Sequence, residues 1–321
     1  MHLKLLLLLL LTLPLLATAN TTTDWTRFQH LGNVEAPTLA AQAKQLTEGY
    51  DNDRDKAAAL YYWVTHNIAY DVQHARRVMR QGSSNGKLYT AEEIKTLHES
   101  RVQSAWKKRR GVCENYARLY QRLAELAGLE SVMVTGHARG DYLQPGSSNI
   151  GHAWNAVKID GRWQLLDATW GAGNVGADWQ FNQEFEGGYF LPDAQRFVLS
   201  HLPNDAKWQL LNQPITRTSW ERYPAIGPGF FDHQVADLSH ATYLLRHPRP
   251  RPLVLQGTGA GFPQQFVAVN FTTGQQLPAS WNVTGDRWTL TIPAEAVKNM
   301  KLGLLTPDSD VVLAYEVKLT R

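Results

Sequence analysis

The sequence predicts an α+β protein: helices first, then an antiparallel sheet, then a small all-β region at the C-terminal end. Three observations predict it. Apolar residues recur at helical spacing from Thr38 to Ala127. Asp160-Gly161 sits between two β-type runs as a two-residue hairpin signal. From roughly Pro248 the texture changes to short β-type runs separated by turn residues.

The first residues read as an address. Met1 to Lys4 is a short basic start, Leu5 to Leu16 is leucine broken only by Thr12 and Pro14, and Ala17-Thr18-Ala19 supplies small residues. The apolar run is shorter than the roughly 20 residues that span a bilayer. It is expected to be a signal peptide over 1–19, removed after Ala19, which makes the mature chain an exported, periplasmic or secreted protein with no stable membrane insertion. Residues 20–235 are expected to form one domain and 236–321 a second, β-sandwich-like one. The formal charge is +3. That is too weak for a nucleic-acid partner or for attraction to an anionic membrane.

The elements follow in order. Thr38 to Tyr50 and Asp53 to His66 are predicted helices; in the second, Ala57, Leu60, Tyr61, Val64 and Ile68 share a face behind a cap region at Asp51 to Asp53. Gln81 to Gly86 is a predicted loop, and Thr90 to Arg101 a further helix. The basic run Lys107 to Arg110 is read as a solvated loop, with positive potential added near Cys113 as the alternative. From Cys113 to Ala127 the helical pattern returns, with Tyr116, Leu119, Tyr120, Leu123 and Leu126 on one face. Gly128 suits the left-handed position that ends such a helix. Ser131 to Thr135 is a predicted strand and Asp141 to Gly151 a loop. His152 to Ile159 and Arg162 to Ala168 flank the Asp160-Gly161 turn. The chain then reads as irregular until about Pro228, and the late β-type runs make a unit of about 75 residues, below the roughly 100 of an immunoglobulin domain.

Cys113 is the sole cysteine. Exported proteins mostly carry cysteines as disulfide pairs, so a solitary thiol is either buried or useful. Its predicted place at the start of a helix puts unpaired N–H groups and the positive end of the helix dipole beside it, which favours a thiolate. A thiol nucleophile needs a base and a group to orient that base. If Asp160-Gly161 is the whole turn, Ile159 faces Arg162 and Trp154 faces Asp167. His152 then shares a face with Asp167 as a diagonal neighbour, about 7–8 Å away at the backbone. A slip of one residue would put them on opposite faces. The histidines show no metal-ligand spacing and no cofactor motif is present; His137 and His201 are read as structural or surface groups.

These residues resemble the transglutaminase-like superfamily. The matching pieces are Gly111-Val-Cys113-Glu-Asn-Tyr-Ala-Arg-Leu, Gly128-Leu129, Gly151-His152-Ala-Trp154-Asn155 and Leu166-Asp167-Ala-Thr-Trp-Gly171, preceded by Tyr62-Trp-Val-Thr-His-Asn-Ile-Ala-Tyr70-Asp71. His201-Leu-Pro-Asn-Asp-Ala-Lys-Trp208 is similar to the branch that includes kyphoscoliosis peptidase and cytokinesis-related transglutaminase-like proteins. The resemblance implies a papain-like α+β core over roughly Thr38 to Pro224, with Cys113 as nucleophile, His152 as base and Asp167 as orienter. It implies thiol acyl transfer on amide bonds of a protein or peptide substrate, as peptidase, amidase or cross-linking enzyme, with no cofactor. It leaves open a non-catalytic interaction module that keeps the fold. A backbone N–H of Cys113 would serve the oxyanion, with Tyr70 or Trp63 as alternatives for a second donor.

Overall fold

The computed structural model describes residues 23–81, 90–139, 149–176, 178–227, 229–230, 235, 238–240, 242–259, 266–307 and 310–320. The expected signal peptide lies outside them, as do 82–86 of the first predicted loop and 141–148 of the second.

The N-terminal part is built from α1 (Leu39–Thr47), α2 (Asp53–Asn67), β1 (Ala69–Tyr70), α3 (Val72–Gln81), α4 (Ala91–Lys108), β2 (Arg110–Gly111) and α5 (Cys113–Leu126). Local chemistry sets the starts. The Thr38 hydroxyl accepts from the Ala41 N–H, and Asn52 Oδ1 accepts from Asp55 N at 2.7 Å. Thr90 and Glu93 form a reciprocal capping box at the start of α4. The sequence counted one apolar face on α2, but every side chain from Ala57 to Thr65 is buried. α2 is the central helix, covered on all sides, and that is where the alanine run Ala57-Ala58-Ala59 lets neighbours approach closely.

Two helices depart from expectation. α4 continues to Lys108, so Lys107 and Lys108 form its last turn rather than a loop; Arg109 closes it with φ 52 and lays its guanidinium over the Trp63 ring, 4.6 Å from the centroid. α3 was not anticipated. None of its described side chains is buried, so no apolar face against a core marks it in the sequence.

α5 packs against α1, α2 and α4 on one side and against the sheet on the other. It buries Tyr116, Leu119, Tyr120 and Leu123, the predicted face. Gly128 takes φ 82 and Leu129 N returns to the Ala124 carbonyl at 2.9 Å, which ends the helix as expected.

The sheet contains β3 (Ser131–Arg139), β4 (Asn149–Ile159) and β5 (Arg162–Leu166). Then follow β6 (Gly173–Val175), β7 (Phe181–Gln183), α6 (Ala194–Phe197), β8 (His201–Pro203), α7 (Arg217–Trp220) and β9 (Ala225–Ile226) in the stretch read as irregular. Strand order is β5-β4-β3-β8, antiparallel throughout. β8 is a correction of that reading: three residues, too short for alternation to reveal, yet they complete the sheet edge. Asn155 Nδ2 donates to the Ala117 carbonyl at 2.9 Å, which ties α5 to β4.

The C-terminal region is sheet-rich. It comprises β10 (Leu244–Pro248), β11 (Leu253–Thr258), β12 (Val267–Asn270), β13 (Gln275–Gln276), β14 (Ser280–Thr284), β15 (Arg287–Ile292), β16 (Met300–Leu305) and β17 (Val311–Thr320). One sheet runs β10-β17-β16-β12-β13, with β9 also paired to β17; the other runs β11-β15-β14. Leu253 and Leu255 of β11 and Trp288, Leu290 and Ile292 of β15 alternate inward. They join Leu302, Leu304, Leu313, Tyr315 and Val317 in a common apolar cluster. Among the described residues no helix is long and apolar enough to cross a membrane.

Candidate active site

Three elements converge on one point. α5 brings Cys113 as its first residue; β4 brings His152; the end of β5 brings Asp167. The hairpin turn behaves as its sequence requires. Asp160 and Gly161 both take positive φ, 49° and 76°, and the ladder runs from Ile159↔Arg162 to Asn155↔Leu166. The ladder ends one pair before the anticipated Trp154–Asp167 step. There the Asp167 N–H turns to the Tyr189 carbonyl at 3.0 Å. The side-chain consequence survives: His152 Nε2 lies 2.7 Å from Asp167 Oδ2.

With Nε2 engaged by the carboxylate, Nδ1 is left for another partner, and Cys113 is among the neighbours that favour a proton on the ring. His152 and Asp167 are buried, while Cys113 is partly exposed. Burial alone would strip His152 of its proton. The buried Asp167 charge, its hydrogen bond and the Cys113 thiol outweigh that and raise the imidazole to about 10. Burial pushes Asp167 the other way from its partners; His152 and His201 prevail and hold the carboxyl well below the usual range. The result is an imidazolium–carboxylate pair.

Glu114, next to Cys113, could oppose a thiolate, but it is paired with Arg101 and with Arg118 Nε at 2.8 Å. The helix start itself is held by Asn115, whose Oδ1 accepts from Val112 N at 3.1 Å. The Cys113 N–H is among the first-turn donors that an α-helix leaves without an intrahelical partner.

The structure separates the two aromatics considered as oxyanion donors. Trp63 is fully buried and its indole N–H already donates to the Val34 carbonyl at 2.9 Å, so it cannot serve. Tyr70 lies beside both Cys113 and Asp167; burial first, then those neighbours, push its phenol well above the usual value and keep it a donor. Trp154 and Trp170 face His152, with ring centroids 6.0 and 5.4 Å away, and Trp154 is fully inside the core.

Of the two readings of His201, structural or surface, the structure takes the first: it is 1% exposed and its Nε2 lies 3.0 Å from the same Asp167 Oδ2. His137, by contrast, is half-buried and shares Nε2 with Arg217 at 3.2 Å. Only the motif around His201 could have pointed to it, since 34 residues separate it from Asp167 in the chain. His152, Asp167 and His201 offer ligand atoms within 4.8 Å of one another, as a metal site would. Those atoms are engaged with each other in hydrogen bonds, and the arrangement reads as a proton-holding network. A cavity of about 670 Å³ lies behind β1 and β2, lined by His74, Arg101, Lys108, Arg109 and Arg110 among others. Its lining does not include Cys113, His152 or Asp167.

Residues 40–168 match the model of the transglutaminase-like superfamily. Kyphoscoliosis peptidase of Mus musculus is 32% identical over 174 residues, which are 53% of this chain and 24% of that protein. Hillarin of Drosophila melanogaster is 28% identical over 182 residues, 50% of this chain and 21% of that protein. The chain thus spans about a quarter of the length of these relatives. A solved TGase aligns with a TM-score of 0.30 at 18% identity, over 46% of this chain and 37% of that one. The matched span contains Cys113, His152 and Asp167, and over residues 40–168 this α+β chain is similar to transglutaminase-like domains.

Proposed function

We propose that the chain is a thiol acyl-transfer enzyme acting on amide carbonyls of protein or peptide substrates, with Cys113 as nucleophile, His152 as acid–base and Asp167 as its orienter. One observation carries the reading: the 2.7 Å bond between His152 Nε2 and Asp167 Oδ2, which leaves the other ring nitrogen for the thiol at the start of α5.

The chemistry follows from that order. The Cys113 thiolate, its proton held on His152 as imidazolium, attacks the amide carbon and the carbonyl electron pair moves onto oxygen. The Cys113 N–H and the Tyr70 hydroxyl stabilise the oxyanion. Collapse expels the amine, which takes the proton held on His152, and leaves a thioester. His152, now neutral, accepts a proton from water or from an acceptor amine as that nucleophile attacks the thioester. Collapse of that second adduct releases the Cys113 thiolate beside the His152 imidazolium, and the cycle closes. Asp167 keeps its charge throughout; it holds the ring in one orientation and stabilises the imidazolium. We also propose that this chemistry is carried out after export, on the strength of the leader-like residues 1–19.

An assay of amide donors, glutamine side chains and peptides, with water or a primary amine as acceptor, tests the reading. Turnover should vanish in Cys113→Ala. Equal turnover by that variant would refute the proposal and favour a binding module that keeps the fold.

A further inference from the structure

Asp167 has four donors, and the triad accounts for only one of them. Thr169 N and Trp170 N reach Oδ1 at 2.8 and 3.2 Å. His152 Nε2 and His201 Nε2 both reach Oδ2, at 2.7 and 3.0 Å. A carboxylate offers about four lone-pair sites, so every site here is filled and the group cannot rotate. Three of the donors belong to elements next to Asp167 or to the hairpin. The fourth comes from β8, the short strand that closes the sheet on the far side of β3.

His201 is built to be a neutral donor. Its ring lies parallel to Phe197 at 4.0 Å and against Trp170 at 4.5 Å, with Trp154 edge-on at 5.2 Å. Its Nδ1 is 2.7 Å from the Ser200 hydroxyl, and Ser200 is fully buried. Such a dry aromatic cage disfavours a second imidazolium, and the His152 charge lies in the same pocket with ring centroids 5.5 Å apart. The neutral tautomer that fits is Nε2–H toward Asp167, with Nδ1 accepting from Ser200.

We propose that His201 is a positioning residue: a permanently neutral hydrogen-bond donor that locks the Asp167 carboxylate so that His152 keeps Nδ1 on the Cys113 thiol. This rests on the thiol-enzyme reading of the site. Sharing Oδ2 has a second effect. It spreads the Asp167 charge over two donors and so limits how tightly His152 holds its proton, which that group must release to a leaving amine.

Two substitutions separate positioning from packing. His201→Phe keeps the ring volume and removes the donor; Ser200 can then turn to the Phe197 carbonyl, 3.3 Å away. His201→Gln places an amide N–H near the position of Nε2 and restores the donor. Each full-length protein is examined in two ways: nitrogen-15 spectra of labelled histidine, which report the tautomer and titration of His152, and the rate of Cys113 alkylation by iodoacetamide. In His201→Phe the His152 titration should move to higher pH and alkylation near pH 6 should fall roughly tenfold, the size of one hydrogen bond to a charged group. His201→Gln should recover most of both. If His201→Phe leaves the His152 titration and tautomer as in wild type, or if both variants lose them equally, His201 only fills space and the proposal fails. If the His152 spectra respond as expected but wild-type alkylation does not depend on His152, the lock stands and the thiol-enzyme reading falls.

Discussion

His152 and Asp167 lie 15 residues apart in the chain and meet at 2.7 Å because a two-residue turn folds β4 onto β5 in one register. That turn sets an imidazole against a carboxylate, and α5, which begins at Cys113, packs on the same sheet. The consequences can be measured separately.

Asp167→Asn keeps the shape of the side chain but offers its donors one acceptor oxygen in place of two and loses the charge that holds the imidazolium. Amide turnover should fall by about 10⁴-fold, the size of the loss when an orienting carboxylate is neutralised. Circular dichroism should stay native. Turnover within a few-fold of wild type would show that His152 is oriented by something else.

Tyr70→Phe removes one hydroxyl beside Cys113. Amide turnover should drop by about 10²-fold, as for loss of one oxyanion donor. Alkylation by iodoacetamide forms no oxyanion, so its rate should stay near wild type. A parallel fall in both rates would place Tyr70 in support of the thiol rather than of the oxyanion. Trp63→Phe should act on stability instead, since its N–H bonds the Val34 carbonyl inside the core.

Gly161 sits at φ 76 in the hairpin turn, and a Cβ there meets no neighbour, so the backbone alone opposes a side chain. Gly161→Ala should cost about 1 kcal/mol in urea denaturation. Alkylation of the folded protein should be unchanged, because alanine can adopt the same turn at a backbone cost and the register stays as it is. A loss of several kcal/mol would mean that the turn supports more than itself.

The two buried histidines respond oppositely to pH. Burial, despite Asp167, lowers His201 from 6.5 to about 4. Between those values the unfolded chain binds a proton that the folded protein refuses, so stability falls as the pH drops, by at most about 1.4 kcal/mol per pH unit for one proton. His152 is raised from 6.5 to about 10, the Asp167 charge overcoming burial. Its contribution is complete below pH 6.5 and is lost as the pH rises toward 10. Urea midpoints measured from pH 7 down to 4.5 should therefore fall in wild type and fall less steeply in His201→Gln. Equal acid slopes would contradict the burial argument for His201.

Much of this was legible in the sequence, for identifiable reasons. α5 was readable because Tyr116, Leu119, Tyr120 and Leu123 keep helical spacing up to a glycine stop. The His152–Asp167 relation was readable because Asp160-Gly161 fixes a register. α3 carries no such signal because none of its described side chains is buried, and β8 none because three residues carry no period. The run Lys107 to Arg110 misled because charge was taken for a loop, whereas basic residues suit the last turn of a helix. His201 was missed as a partner of Asp167 because its contact depends on β8 pairing with β3, a long-range event with no local signal.

The central claim is that His152 activates Cys113, and the alkylation rate near pH 6 tests it most directly. Wild-type protein should react rapidly with iodoacetamide there, and His152→Ala should react at least tenfold more slowly, with native circular dichroism. Equal, slow reaction of both proteins, rising only above pH 8, would contradict the account and leave the fold as a scaffold for binding.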